Sequence, residues 1–118
     1  MRFLLIDDDP TFCVLTKEFF FAQEDVAVRR CTSVAEGLSA IDEVRPDVIF
    51  LDGDLTRLGA EGLEIAEKIH PRVKIYTTTG REDIQEAFQT RFGIDHVSKL
   101  DIPAIRALID KLRTRKYV

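Results

Sequence analysis

Five short apolar segments alternate with five helical patterns along this 118-residue sequence, and the alternation constrains the fold more than any other feature. The apolar segments are rich in Ile, Val, Leu and Phe, and they run from Arg2 to Ile6, Val26 to Cys31, Val48 to Leu51, Val73 to Thr77 and Asp95 to Ser98. The first and third are almost continuously hydrophobic, which is typical of strands covered on both faces. Strict alternation of strand and helix predicts a parallel sheet with helices on both sides.

The segments between these strands show helical spacing and identifiable helix ends. Asp9 and Pro10 suit the N-cap and first turn of a helix that continues to Phe21. Ser33, with Glu36 three residues later, has the pattern of a capping box at the start of the second helix. Apolar stripes mark the other three helices, at Leu63, Ala66 and Ile69 before Pro71, at Ile84, Ala87 and Phe88 in a short helix before Gly93, and at Ile105, Leu108, Ile109 and Leu112. We expect a single domain over residues 1–118, with no output domain in this chain.

Charge and hydropathy exclude several classes of function. The net charge is −4, whereas proteins that bind nucleic acid typically carry an excess of basic residues. No stretch approaches the roughly 20 apolar residues that span a bilayer, and Asp7 ends the amino-terminal apolar run too early for a signal peptide. Cys13 and Cys31 lie within apolar patterns, and we interpret them as reduced core residues. We expect a cytoplasmic protein that binds neither nucleic acid nor membrane.

Acidic and hydroxyl residues gather where the predicted strands end. In open α/β sheets, ligands bind outside the carboxyl ends of the strands. The groups at these ends are Asp7, Asp8 and Asp9 after the first strand, Asp52 to Asp54 after the third, Thr77 to Thr79 after the fourth, and Ser98 and Lys99 after the fifth. Each has an ordinary structural explanation when taken alone, such as the helix cap to which we assign Asp9. Together they predict a shared site at one edge of the sheet.

The chemistry that these groups favour is magnesium-assisted phosphoryl transfer. Two carboxylates about 4 Å apart repel by roughly 4 kcal/mol at an effective dielectric of 20, so Asp7, Asp8 and Asp52 need a cation or a retained proton. Oxygen ligands at an open strand edge favour Mg²⁺, and the absence of His and Cys from this set argues against zinc. Asp52 can then act as a nucleophile, while the Lys99 ammonium and the Thr77 hydroxyl contact phosphoryl oxygens. The hypothesis requires that the strand ends meet and that no amine replaces the cation between the acids.

Four separated motifs resemble the receiver domain of two-component response regulators, and the resemblance covers the whole chain. The motifs are Asp7-Asp8-Asp9-Pro10, the segment from Pro46 to Asp52, Tyr76-Thr77-Thr78, and Lys99. The resemblance implies a flavodoxin-like (βα)5 three-layer sandwich whose parallel sheet has the strand order 2-1-3-4-5. It also implies transfer of a phosphoryl group to Asp52 from a histidine kinase or a histidine phosphotransfer protein. Such a domain catalyses only its own phosphorylation and dephosphorylation and is not otherwise an enzyme.

The same resemblance implies roles for individual residues. Asp8 and Asp52 match direct metal ligands, Asp7 an acid that holds the metal through water, and Asp54 a ligand through its backbone carbonyl. Thr77 and Lys99 match the groups that contact the phosphate, and Thr77 and His96 match the two switch residues. Phosphorylation would then change the surface of the fourth helix, fifth strand and fifth helix, and the signal would pass to a separate downstream protein or through a homodimer.

The sequence departs from the family pattern at several positions. Leu100 stands where a proline usually follows the lysine, His96 stands at the aromatic switch position, Thr78 stands where a small residue is customary, and Thr56 replaces a proline. Acidic Asp54 beside the acceptor either raises metal affinity or repels the incoming phosphoryl group. These departures leave open a pseudo-receiver, which has the same fold and works as an interaction module without phosphorylation.

A phosphatase of the haloacid dehalogenase type is the enzyme alternative. The segment Asp52-Gly53-Asp54-Leu55-Thr56 matches the nucleophile motif of that family, Asp-x-Asp-x-Thr. Those phosphatases place the nucleophile strand first and the acidic metal pair last, whereas here the acidic pair follows the first strand. A chain of 118 residues also lacks room for their larger core and cap, so we favour the receiver domain.

Overall fold

Five parallel strands and five helices alternate along the chain in a computed structural model, which describes residues 1–56 and 59–115 and gives only the backbone of Arg115. The strands are β1 (Phe3–Asp7), β2 (Val26–Arg30), β3 (Val48–Leu51), β4 (Lys74–Thr77) and β5 (Asp95–His96). The helices are α1 (Pro10–Phe19), α2 (Val34–Val44), α3 (Glu61–Ile69), α4 (Glu82–Phe92) and α5 (Ile102–Arg115). The strand order is β2-β1-β3-β4-β5, with every neighbouring pair parallel. The predicted flavodoxin-like topology is confirmed.

Local sequence signals account for several helix ends. The Asp9 side chain accepts hydrogen bonds from the first turn of α1, and Pro10 is the first residue of that helix. Ser33 caps α2 by accepting from the Glu36 N–H at 3.1 Å. Gly93 ends α4 in the left-handed conformation, with φ of 66°, a geometry that costs glycine little. These three predicted helix ends are confirmed.

α1, α4 and β5 differ in length from the sequence prediction, and α1 ends at Phe19 rather than at Phe21. α4 has 11 residues, whereas the sequence predicted a short helix. Only Ile84 and Phe88 of this helix are buried, and so narrow an apolar stripe gives a weak helical period in the sequence. β5 pairs with β4 only at Asp95 and His96, although the Val97 N–H still donates to the Thr77 carbonyl at 2.9 Å. The fifth strand is therefore shorter than the predicted segment from Asp95 to Ser98.

The sheet separates two apolar cores. Helices α2, α3 and α4 cover one face, which includes Leu4, Ile6, Ile49, Leu51 and Ile75, and helices α1 and α5 cover the other, which includes Phe3, Leu5, Val48 and Phe50. Successive residues of β1 and β3 enter opposite cores, which explains why both strands are hydrophobic throughout. Each fully buried Leu, Ile or Phe stabilises the fold by roughly 1.5–3 kcal/mol. Packing on both faces thus holds β1 and β3 in place within the sheet.

The cysteines lie in these cores. Cys13 and Cys31 are both free and buried, as the sequence predicted. Burial raises the pKa of the Cys13 thiol to about 11, which keeps it protonated and unreactive near neutral pH. Within residues 1–56 and 59–115, none of the helices has the length and apolar character needed to cross a bilayer.

Candidate functional site

The end of β1 holds two adjacent aspartates in a fixed turn. Asp7 is the last residue of the strand and is 1% exposed, whereas Asp8 is half-buried. The Asp7 carboxylate accepts a hydrogen bond from the Asp9 N–H at 2.9 Å, and its backbone carbonyl accepts from the Cys31 N–H at 3.0 Å. Asp9 itself caps α1, as the sequence predicted. The turn therefore separates the capping acid from the two acids at the sheet edge.

Asp52 follows β3 directly and lies beside this turn. Its N–H donates to the Ile6 carbonyl at 3.0 Å, which ties the end of β3 to the end of β1. Asp52 is 2% exposed, and among the described residues its Oδ1 atom has no hydrogen-bond partner. One carboxylate oxygen from each of Asp7, Asp8 and Asp52 lies within 4.8 Å of the other two. The structure thus brings the three acids from two strand ends together.

The Lys99 ammonium lies against two of these acids. Its Nζ atom is 3.4 Å from Asp7 Oδ2 and 3.7 Å from Asp52 Oδ2. Both separations exceed the roughly 2.7–2.9 Å of a strong charge-assisted hydrogen bond. The sequence hypothesis required that no amine salt-bridge the acids in place of the cation, and Lys99 does form ion pairs with Asp7 and Asp52, in each case through the Oδ2 atom. The Oδ1 atom of Asp52 has no hydrogen-bond partner among the described residues and is the oxygen left for a cation.

Burial and mutual repulsion make Asp52 a weak acid in the metal-free protein. The pKa of Asp52 is raised to about 8, first by burial and then by the charge of Asp7, against the opposing effect of Lys99. Burial also raises the pKa of Asp7, although the Asp9 N–H and Lys99 act in the other direction. Burial disfavours the charged form of Lys99, but the Asp52 and Asp7 carboxylates outweigh it, so the pKa of Lys99 is raised. A divalent cation at these oxygens would hold both acids in their ionised form.

The donor set fits a hard cation such as Mg²⁺. It consists of carboxylate oxygens, one of them buried without a partner, on an edge that Asp8 leaves partly open. The Asp54 side chain is not part of this set. Its Oδ1 atom lies 3.5 Å from the Thr79 hydroxyl, on the loop after β4, which leaves the backbone carbonyl as the group that Asp54 can offer a metal.

The two predicted switch residues both contact the β4 end and its loop. Thr77 is fully buried, and its hydroxyl donates to the Leu51 carbonyl at 3.0 Å and accepts from the Thr79 N–H at 3.3 Å. The hydroxyl is thus engaged with backbone groups and makes no hydrogen bond to Asp52. His96 Nε2 lies 3.0 Å from the Thr79 carbonyl and 3.2 Å from Gln85 Nε2 of α4. A carbonyl only accepts hydrogen bonds and an amide nitrogen only donates them, so the first contact needs a proton on Nε2 and the second needs Nε2 without one.

Two hydrogen bonds at the rim of the site could not be predicted from the sequence. Arg81 Nη1 donates to the Gly59 carbonyl at 3.1 Å and so links the loops after β3 and β4. Arg30 Nε donates to the Asp8 carbonyl at 2.9 Å. Each contact joins residues 22 positions apart, so no local motif marks either arginine.

Comparison with known proteins gives a family match along nearly the whole chain. The sequence matches the response regulator receiver domain over residues 3–110. It is similar to the transcriptional regulatory protein BtsR of Escherichia coli strain K12, with 32% identity over 121 residues, or 98% of this chain and 49% of that protein. BtsR of Salmonella typhi is 31% identical over 77 residues, which cover 64% of this chain and 31% of that protein. The chain spans about half the length of the first of these relatives.

Solved structures share the fold at low sequence identity. The N-terminal domain of an uncharacterized Wolinella succinogenes protein gives a TM-score of 0.77 at 19% identity and covers 99% of this chain and 96% of its own. The receiver domain of a Francisella response regulator gives 0.72 at 18% identity and covers 98% of both chains. TrrA of Thermotoga maritima, solved in complex with Mg²⁺ and BeF, gives 0.71 at 23% identity and covers 94% of this chain and 97% of its own.

Proposed function

The chain belongs to the family of response regulator receiver domains, which act in two-component signalling, and on that premise we propose that Asp52 is its phosphate acceptor. The donor is a phosphohistidine on a histidine kinase or a histidine phosphotransfer protein, as is general for receiver domains. The chain acts as an enzyme only toward itself, in its own phosphorylation and dephosphorylation. We place this exchange in the cytoplasm.

The observation that carries the proposal is the unpartnered Oδ1 atom of Asp52. A buried carboxylate oxygen without a hydrogen bond is costly and is rare in folded proteins. Here it belongs to a side chain that lies with two further acids, on the side that the Lys99 ammonium leaves free. Such an oxygen is suited to bind a cation or to form a new bond during the reaction.

The transfer step uses the acids and Lys99 in distinct roles. An Asp52 carboxylate oxygen forms the new bond to phosphorus while the phosphorus–nitrogen bond of the donor breaks, and the imidazole leaves with that electron pair. Bound Mg²⁺ would be held by Asp8, Asp52 and the Asp54 carbonyl, with Asp7 acting through water, and would neutralise charge on the phosphoryl oxygens. Lys99 already lies 3.7 Å from Asp52 Oδ2 and supplies a second positive charge. Thr77 must give up its bond to the Leu51 carbonyl before its hydroxyl can contact the phosphoryl group.

The output of the reaction is a change in the loop after β4. Phosphorylation adds about −1.5 to −2 charge and strong acceptor oxygens at Asp52. Movement of Thr77 toward this charge would remove an acceptor from the Thr79 N–H, and the Thr79 carbonyl is the group that His96 and Gln85 contact. The α4, β5 and α5 surface then presents the signal, to a separate protein or to a second copy of the chain.

Intact-mass spectrometry tests the acceptor directly. We expect incubation with acetyl phosphate and Mg²⁺ to add the mass of one phosphoryl group to the protein, and EDTA to prevent this addition. Asp52→Asn should remove the adduct because the amide cannot act as the nucleophile. Asp47→Asn is the matched control, since Asp47 is an exposed aspartate just before the opposite end of β3, and it should be phosphorylated normally.

Two outcomes would contradict the proposal in different ways. Absence of an adduct at every donor concentration would favour a pseudo-receiver that works without phosphorylation, a function also compatible with Leu100 in place of the usual proline. Steady turnover of an added phosphomonoester would instead favour the phosphatase alternative.

A further inference from the structure

Arg30 contacts the Asp7–Asp8 turn from the neighbouring strand. Its Nε atom donates to the Asp8 backbone carbonyl at 2.9 Å. The contact follows from the register of the sheet, in which Arg30, the last residue of β2, is paired with Asp7, the last residue of β1. The arginine therefore reaches the residue directly beyond the end of its neighbouring strand.

This contact joins the ends of β1 and β2 one residue beyond the last backbone hydrogen bond between them. The Cys31 N–H bonds the Asp7 carbonyl at 3.0 Å, but the next N–H, that of Thr32, turns away to the Glu36 carboxylate at 2.9 Å. Among the described residues, the Asp8 carbonyl receives its donor from outside the backbone ladder of β2. Arg30 supplies this donor from its side chain.

We propose that Arg30 is a positioning residue for Mg²⁺ binding, which it favours by fixing the Asp7–Asp8 turn so that the Asp8 carboxylate faces the other two acids. Asp8 is the half-buried member of the acidic cluster and therefore the one that neighbouring side chains restrain least. Groups that orient metal ligands commonly change metal affinity when they are removed. The inference rests on the proposed function, because it assumes that the cluster binds Mg²⁺.

The direction in which Mg²⁺ affinity changes when Arg30 is replaced distinguishes a positioning role from a purely electrostatic one. Removing a positive charge near an acidic site should strengthen cation binding if charge alone matters. A positioning role predicts the opposite, because the turn loses the bond that orients Asp8. Arg29 offers a matched control on the same strand, since it lies beside Glu43 at 3.7 Å and makes no contact with the turn.

Isothermal titration with MgCl₂ on three variants tests the inference. Arg30→Met removes the donor and the charge, and we expect it to weaken Mg²⁺ binding about threefold to tenfold, the effect of one lost hydrogen bond. Arg30→Gln removes the charge but keeps an N–H donor at the ε position, where the arginine Nε stands, and should bind Mg²⁺ as the unmodified protein does. Arg29→Met should bind equally well or slightly more tightly.

The inference is overturned if Arg30→Met binds Mg²⁺ as tightly as the unmodified protein, or if Arg30→Gln is as weak as Arg30→Met. Thermal unfolding in EDTA establishes that each variant is folded before titration. If the unmodified protein itself binds no Mg²⁺, the proposed function fails at its metal site, a result distinguishable from failure of the Arg30 inference alone.

Discussion

Asp52 combines deep burial with a nearby negative charge, and this combination determines when it can react. A carboxyl group is a nucleophile only when ionised, yet the pKa of Asp52 lies near 8 in the metal-free protein because of burial and Asp7. Lys99 offsets this effect only in part. Under the proposed function, Asp52 would need a second cation to be ionised at neutral pH, so we expect phosphorylation to require bound metal.

The raised pKa of Asp52 predicts that the metal-free protein loses stability as the pH rises. The unfolded chain loses this proton near pH 3.8, whereas the folded protein keeps it until about pH 8. Between these values the folded state binds more protons, so its free energy of unfolding falls with increasing pH. We expect urea denaturation in EDTA to give a lower free energy of unfolding at pH 8 than at pH 5.

Asp52→Asn isolates this contribution, because the variant keeps the other titrating groups. Its stability should decline less between pH 5 and pH 8 than that of the unmodified protein. Addition of Mg²⁺ at pH 8 should stabilise the unmodified protein more than the variant, since the ion binds the folded state. Equal pH dependence of the two proteins would contradict the assignment of the raised pKa to Asp52.

At the scale of elements, the start of α3 packs directly against Asp52, the proposed acceptor. The Gly62 N–H donates to the Gly53 carbonyl at 2.9 Å, and a Cβ atom at Gly62 would overlap the Asp52 carbonyl oxygen. The close approach of this helix to the strand end therefore requires glycine. It also means that the position of α3 and that of Asp52 are coupled.

Gly62→Ala should consequently affect both the fold and the site. The overlap with backbone atoms forces α3 or Asp52 to move, and we expect a loss of about 1–3 kcal/mol in the free energy of unfolding. The folded variant should also be phosphorylated by acetyl phosphate more slowly. Gly80→Ala is the control, because a Cβ atom there meets nothing within 4 Å, and its stability should change by less than about 0.5 kcal/mol. An unchanged stability in Gly62→Ala would refute the close packing.

Hydrophobic periodicity predicted the elements well where burial is extensive and less well where it is not. β1 and β3 are buried on both faces, and their limits were predicted within one residue at each end. In α4 only two side chains are buried, and at the sheet edge β5 pairs on one side alone, so neither length was evident from the sequence. The helix caps Asp9 and Ser33 were predictable because a cap depends on its nearest residues.

At the scale of the whole molecule, the parallel sheet is what assembles the site. Two apolar cores hold β1 and β3 side by side, so that acids 44 and 45 positions apart in the chain, Asp52 with Asp8 and with Asp7, come within 4.8 Å. This convergence was predictable, because parallel strands end at the same edge. Other contacts depend on side-chain packing between segments that are distant in the sequence, and hydrophobic periodicity carries no information on such packing. They are the contacts of Arg30 and Arg81 and the hydrogen bond from the Thr77 hydroxyl to the Leu51 carbonyl.

The most direct test of the account is a crystal structure of the unmodified protein with Mn²⁺, which binds oxygen sites as Mg²⁺ does and gives an anomalous signal. We expect an anomalous peak in contact with the Asp8 and Asp52 carboxylates, with the Lys99 ammonium displaced from the line between Asp7 and Asp52. A peak at another place, or an acidic cluster in which Lys99 still bridges the acids and no ion is bound, would contradict the account.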